Sequence, residues 1–183
     1  MKKTVVTFGL ISGAISSAMM LATVPFLDRI GFERGEVFGY TMIVLSFLLV
    51  FFGIRSYRDN INGGKITFGR AFQVGILITL ISCACYVITW EILYFNFLEG
   101  FTEKWTAYAI EKAKASGASA VEVEAQIQQM NKFKELYENP LINAAITFIE
   151  PFPVGLVITT LSAAVLRRRS QPRLEPTQTV VVS

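Results

Sequence analysis

The chain has 183 residues, 52% of them hydrophobic and 17% charged, with a formal net charge of +3 and no histidine. A soluble domain is about 45–50% apolar and about 25% charged, so this composition carries too few charges to coat a water-facing surface, and the medium it fits is lipid. The missing His removes Ser-His-Asp triads, His-centred acid–base catalysis and His-ligated metal sites, and a net charge of +3 is too small to point to nucleic acid.

Four charge-poor segments follow in chain order. Thr4 to Leu27 runs 24 residues without a charge, between Lys2-Lys3 and Asp28-Arg29. Val37 to Ile54 gives 18 between Glu36 and Arg55, and Ala71 to Trp90 gives 20 between Arg70 and Glu91. Pro140 to Leu166 carries one acid, Glu150, before Arg167-Arg168-Arg169. A helix needs about 20 residues to cross a hydrocarbon core of roughly 30 Å. The runs lack the alternation of barrel strands, and backbone exposed to lipid must bond itself. An all-α polytopic membrane protein with four transmembrane helices is therefore predicted. The first span has a signal-like start in Lys2-Lys3 and a small-residue run at Ser16-Ser17-Ala18. Its length exceeds a cleavable apolar region, which predicts a retained anchor.

Lys and Arg set the direction. The N-terminus, residues 55–70 and residues 167–183 hold ten of the 17 basic residues and two acids, Asp59 and Glu175. Segments 28–36 and 91–139 hold the other seven bases against eleven acids. By the positive-inside rule both termini are expected to be cytoplasmic, with 91–139 outside. Tyr40, Trp90, Tyr94 and Trp105 then read as an outer aromatic belt, with Tyr57 at the inner interface.

Each span carries small residues at intervals of four or seven, which stay near one helix face. Gly9, Gly13 and Ser17 mark the first, and Gly39, Ser46 and Gly53 the second. Ala71, Gly75, Thr79 and Cys83 mark the third, and Gly155, Thr159 and Ala163 the fourth. Helix packing in lipid relies on such residues, so Gly9, Gly13, Gly39, Gly53, Gly75 and Gly155 are predicted packing positions. The stripes fit contacts within the chain, a homodimer seam or a gating pivot. Cys83 and Cys85, two apart on a helix, do not face each other and read as buried free thiols.

Between the third and fourth spans the composition turns to Ala, Glu, Lys and Gln. It predicts two helices, 101–115 and 119–138, forming an extracytoplasmic hairpin. Ser119-Ala120-Val121-Glu122 is a capping box, and Asn139-Pro140 marks a boundary. The stripe Val123, Ile127, Met130, Phe133, Tyr137 must cover its partner helix, the bilayer surface or another protein. At the opposite face Asn62-Gly63-Gly64 makes a turn and Thr67 caps the third helix. Phe68 and Phe72, with Lys65 and Arg70, suit an anionic leaflet or a docked cytosolic partner. Residues 1–169 read as one transmembrane domain, and 170–183, with Pro172 and Pro176, as a disordered tail whose Val180-Val181-Val182 can add to a partner as a strand.

Glu150 is the one ionisable residue deep in a span, which makes it a candidate site. Counting from Leu166 puts it about 24 Å from the inner interface and about 6 Å beneath the outer one. Pro151 and Pro153 remove backbone donors and are expected to kink or restart the helix. Two readings stand: a carboxylate facing the helix-start amides or an outer Arg such as Arg29 or Arg34, or a cation- or proton-binding pair with Glu91, at a comparable height on the third span.

Gly64-Lys65-Ile66-Thr67-Phe68-Gly69-Arg70-Ala71-Phe72, Lys112-Ala113-Lys114-Ala115-Ser116-Gly117-Ala118-Ser119, Tyr137-Glu138-Asn139-Pro140 and Thr147-Phe148-Ile149-Glu150-Pro151-Phe152-Pro153-Val154-Gly155-Leu156 carry a resemblance. As a set they resemble a family of small bacterial membrane proteins catalogued as domain of unknown function forty-one ninety-nine. The resemblance covers residues 1 to about 169. It implies a four-span inner-membrane protein and brings no activity or site. With no nucleophile–base pair and no cofactor or metal motif legible, the expected function is non-enzymatic: an envelope protein in the bilayer that meets another membrane or periplasmic protein. The alternative is a small proton- or cation-coupled carrier or channel, alone or as a homo-oligomer, using Glu150 and Glu91.

Overall fold

An amide in lipid finds no partner outside its own chain, and the apolar runs form helices accordingly. The computed structural model describes residues 1–168, so the expected tail at 170–183 and its Val180-Val181-Val182 strand lie outside the described residues. Eight helices follow in order: α1 (Lys2–Thr23), α2 (Leu27–Ile30), α3 (Phe32–Asn60), α4 (Phe68–Phe97), α5 (Phe101–Ala115), α6 (Ala120–Tyr137), α7 (Pro140–Ile149) and α8 (Pro151–Leu166). A 3-10 turn, Val24–Phe26, joins α1 to α2. Four stretches are long and apolar enough to cross a membrane: Lys2–Phe26, Phe32–Asn60, Phe68–Phe97 and Pro140–Leu166. No strand occurs among the described residues.

α3 and α4, at 29 and 30 residues, outrun the charge-free segments that announced them. A helix does not end at its first charge, because long side chains near its ends reach water while their stems stay apolar. α1 ends early for a local reason: Pro25 has no amide to continue the ladder. The fourth span breaks at Glu150, between α7 and α8, where Pro151 and Pro153 leave the carbonyls of Thr147 and Ile149 without their helical donors.

α1 and α8 each pack against both α3 and α4, α3 and α4 touch each other, and α7 runs along α4. The packing inverts the pattern of a soluble protein. Leu10, Val157, Leu161 and Val165 are exposed, while Ser12, Ser46, Ser82, Thr79 and Thr159 are buried. The buried hydroxyls bond across helices: Ser12 donates to the Ser46 carbonyl at 2.9 Å and meets the Ser82 hydroxyl at 3.0 Å. Thr79 and Thr159 join α4 to α8 at 3.0 Å. Phe47, Val50, Ile54, Val74 and Ile78 fill the core between them.

Close approach accounts for most of the small residues. A Cβ on Gly13 would lie 2.6 Å from Cys85 Cβ, and one on Gly75 would lie 2.8 Å from Thr159 Cγ2. Gly9 abuts Ile81, Gly53 abuts Ile78 and Phe8, and Gly155 abuts Thr79 and Phe47. These contacts are all within the chain. Gly39 departs from the expected packing role: a Cβ there meets nothing within 4 Å, because α3 faces open space at that level. Cys83 is buried and Cys85 half-buried, both free.

The basic stretches gather at one end. Gly63 and Gly64 turn the chain with φ of 62° and 77°, and the Thr67 side chain accepts from the Arg70 amide. Ile66 and Arg168 form an antiparallel bridge with bonds of 3.1 and 2.9 Å. Arg58 pairs with Asp59 at 2.6 Å and reaches the Leu166 carbonyl at 3.5 Å. Phe68 and Phe72 stack at 6.1 Å. The opposite end carries the α5–α6 hairpin. Ser119 and Glu122 close the capping box there, the Glu122 carboxylate accepting from the Ser119 amide at 2.8 Å.

Candidate functional site

Residues four apart share a helix face, and five segments turn such a pair toward one space. The pairs are Glu36 and Tyr40 on α3, Tyr86 and Trp90 on α4, Phe101 and Trp105 on α5, Phe133 and Tyr137 on α6, and Ile146 with Glu150 at the end of α7. Met19 and Met20 of α1 and Gly39 and Met42 of α3 also line it. The space is a cavity of about 450 Å³ under the hairpin. Small-molecule sites span roughly 300–1,000 Å³.

Its walls are fixed by a buried polar network. Asn143 accepts the Trp90 indole N–H at 3.0 Å and the Thr147 hydroxyl at 3.2 Å, and donates to the Tyr137 carbonyl at 3.1 Å. Burial pushes the Tyr137 phenol up to about 12, so it stays neutral. The hairpin docks through rings: Phe101 meets Trp90 edge-on at 5.3 Å, and Phe133 lies 5.6 Å from Trp105 and stacks on Tyr137 at 4.9 Å. The Tyr94 and Thr102 hydroxyls bond at 2.7 Å, and Lys134 pairs with Glu103 at 2.5 Å. Met130 and Tyr137 are buried and Phe133 lines the cavity, so the amphipathic stripe of α6 covers its own chain.

Two acids and no base line this space. The Glu150 carboxylate accepts from the Tyr86 hydroxyl at 3.2 Å, and among the described residues no cation pairs with it. Neither Arg29 nor Arg34 takes the role expected of an outer Arg, because the break before Pro151 leaves Glu150 facing α4. Glu36 stands at the rim, 4.0 Å from Lys112 on α5. Three of the lining hydroxyls are engaged: Ser16 donates to the Gly13 carbonyl, Thr23 to the Met19 carbonyl, and Thr102 bonds Tyr94.

Glu91 is not in the cavity wall. One residue past Trp90, it points about 100° away around α4, and its Oε1 is buried without a hydrogen-bond partner among the described residues. Equal height did not bring it to Glu150, and the acid that shares the cavity is Glu36. Trp90 and Trp105, read from sequence as belt residues, line the same cavity, while Tyr40 borders it and stays half exposed. Four-residue spacing did not distinguish the two acids, since Glu91 has Phe95 four residues on just as Glu36 has Tyr40.

A second crevice of about 550 Å³ lies between α1, α4 and α5, lined by Leu21, Pro25, Leu93 and Phe97. Val24, Leu27, Phe32 and Phe101 belong to both spaces. No group of three His, Cys, Asp or Glu side chains gathers among the described residues, so the donor set is that of an acidic aromatic chamber and not a metal cage.

No curated protein and no solved structure matches the chain. One family model does, over residues 7–168, a stretch that includes both acids and all five wall segments. The chain belongs to the family described as Protein of unknown function (DUF4199).

Proposed function

We propose that this multi-pass protein is a non-enzymatic binding protein of the bacterial inner membrane, which holds a small ligand in the cavity under its hairpin with Glu150 as the ionisable group that meets it. One observation carries the reading: an acid within a membrane-crossing stretch faces a cavity of about 450 Å³ with no cation beside it. A carboxylate at that depth is costly unless something compensates it. The envelope-partner reading has less behind it, since the hairpin's apolar stripe is consumed inside the chain.

The basic end is cytoplasmic in this proposal, with both termini there and the hairpin outside, as Lys2, Lys3, Arg55, Arg58, Lys65, Arg70 and Arg167 require. A fluorescent-protein fusion after Ser183 is expected to light up, and alkaline phosphatase inserted at Gly117 to be active. The reverse pair of results overturns the sidedness.

Both tryptophans of the chain line the cavity, which makes their emission a report on its contents. Titrating the protein in lipid nanodiscs with the neutral dye N-phenyl-1-naphthylamine is expected to give saturable energy transfer from tryptophan. Gly39→Phe, which puts a ring into open space, is expected to abolish the saturable component. Identical, unsaturable signals from both proteins overturn the binding reading.

A further inference from the structure

We infer that the ligand of this cavity is a lipophilic organic cation, an alkyl- or aryl-substituted ammonium whose nitrogen lies beside Glu150 among the aromatic rings and whose apolar body fills the methionine-lined remainder. The inference rests on the binding reading above and names the class of ligand.

Charge comes first. An anion would meet two acids and no base in the wall. Glu36 has Lys112 at the rim, so Glu150 is the acid without a cation, and the cavity is short of one positive charge. The rings come next. Tyr86 bonds Glu150, and Tyr40, Trp90 and Trp105 line the same cavity, and a weakly hydrated cation is attracted to the faces of such rings.

Inorganic ions fit poorly. Hard cations take six or more oxygen ligands, whereas the two carboxylates and few hydroxyls of this wall are dispersed among aromatic, methionine and aliphatic side chains. The remaining surface is thioether and hydrocarbon, which adapts to an irregular apolar body. A lipophilic body also has a way in. The crevice between α1, α4 and α5, lined mainly by apolar side chains together with Glu99 and Lys104, shares Val24, Leu27, Phe32 and Phe101 with the cavity, so these four side chains stand between the two spaces.

The test compares (3-phenylpropyl)trimethylammonium with its uncharged isostere, in which a quaternary carbon replaces the nitrogen. Both are titrated into the protein in phosphatidylcholine nanodiscs and followed by tryptophan emission, with Gly39→Phe as the partitioning blank. The cation is expected to bind at least roughly tenfold more tightly than the isostere. Glu150→Gln is expected to erase that preference, and Glu91→Gln, outside the wall, to leave it. Equal affinity for both compounds in the unaltered protein overturns the cation assignment while leaving a binding cavity. Binding of neither overturns both. Displacement of the ammonium by millimolar Na⁺ or Ca²⁺ at constant ionic strength reassigns the site to a metal ion and overturns it as well. The comparison on the unaltered protein decides even where Glu150→Gln fails to fold.

Discussion

Asn143, fully buried on α7, accepts the indole N–H of Trp90 on its side-chain oxygen at 3.0 Å while donating to the backbone carbonyl of Tyr137 at 3.1 Å. One amide thus joins α4, the end of α6 and the broken fourth span, and it holds the Trp90 ring of the cavity wall in place. Each of its groups is partnered, the condition under which a buried polar side chain stabilises a fold. Asn143→Leu leaves the indole and the carbonyl unsatisfied and is expected to cost about 1–3 kcal/mol. Thermal unfolding in detergent measures the loss, and a shift in tryptophan emission reports the freed ring. An unchanged midpoint and spectrum would contradict the network.

Two glycines separate close packing from open space. Gly13→Ala drives a methyl against Cys85 and is expected to destabilise by about 1–3 kcal/mol, the usual cost of overpacking. Gly39→Ala meets nothing and is expected to be neutral or stabilising by up to about 1 kcal/mol through helix propensity. Parallel melting curves of the two variants check this, and equal destabilisation would refute it.

The hairpin's ion pair gives a pH profile. The Lys134 ammonium bonded to Glu103 holds that carboxyl below its ordinary value of 4.5, and the same contact holds Lys134 above its ordinary 10.5. A lowered acid contributes stability above its ordinary value and loses it as pH falls through the folded one. A raised base contributes below its ordinary value and loses it as pH rises through the folded one. The difference in unfolding midpoint between the unaltered protein and Glu103→Gln is therefore expected to be flat between those limits and to shrink outside them. Both partners are substantially solvent-exposed, so the difference is small and fades with added salt. A difference that grows on acidification would contradict the pairing.

Ser119 starts α6 with its hydroxyl on the Glu122 amide and with Glu122 returning the bond. Ser119→Ala is expected to cost about 1 kcal/mol, localised to the first turn. Amide exchange measures it: protection is lost at residues 121–123 and kept near Met130, and uniform loss along α6 would mean the cap does more than start the helix.

Helix positions and spacing were legible in the sequence, while rotation about a helix axis was not. The charge-free runs located four crossings, and Asn139-Pro140 and the Ser119 box located the hairpin to within a residue or two, because these signals are local. Glu150 stood out because an acid in an apolar run is conspicuous in one dimension. Its partners did not, since Glu91 and Glu36 both lie near the same level and only the facing of α3 and α4 decides between them. Trp90 and Trp105 show the same ambiguity: an aromatic near a membrane boundary reads as a lipid anchor whether it points outward or in. Gly39 failed as a packing position because a seven-residue interval fixes a face but not whether another helix stands opposite it.

The bridge between Ile66 and Arg168 ties the short connection after the second crossing to the backbone that leaves the last one. That connection therefore waits, with one amide and one carbonyl unmatched, until the ribosome has synthesised everything between them. The corner that opens the third crossing is thus among the last to be fastened during biogenesis, and a nascent chain halted before Arg167 would sit in the bilayer with its corner unlatched.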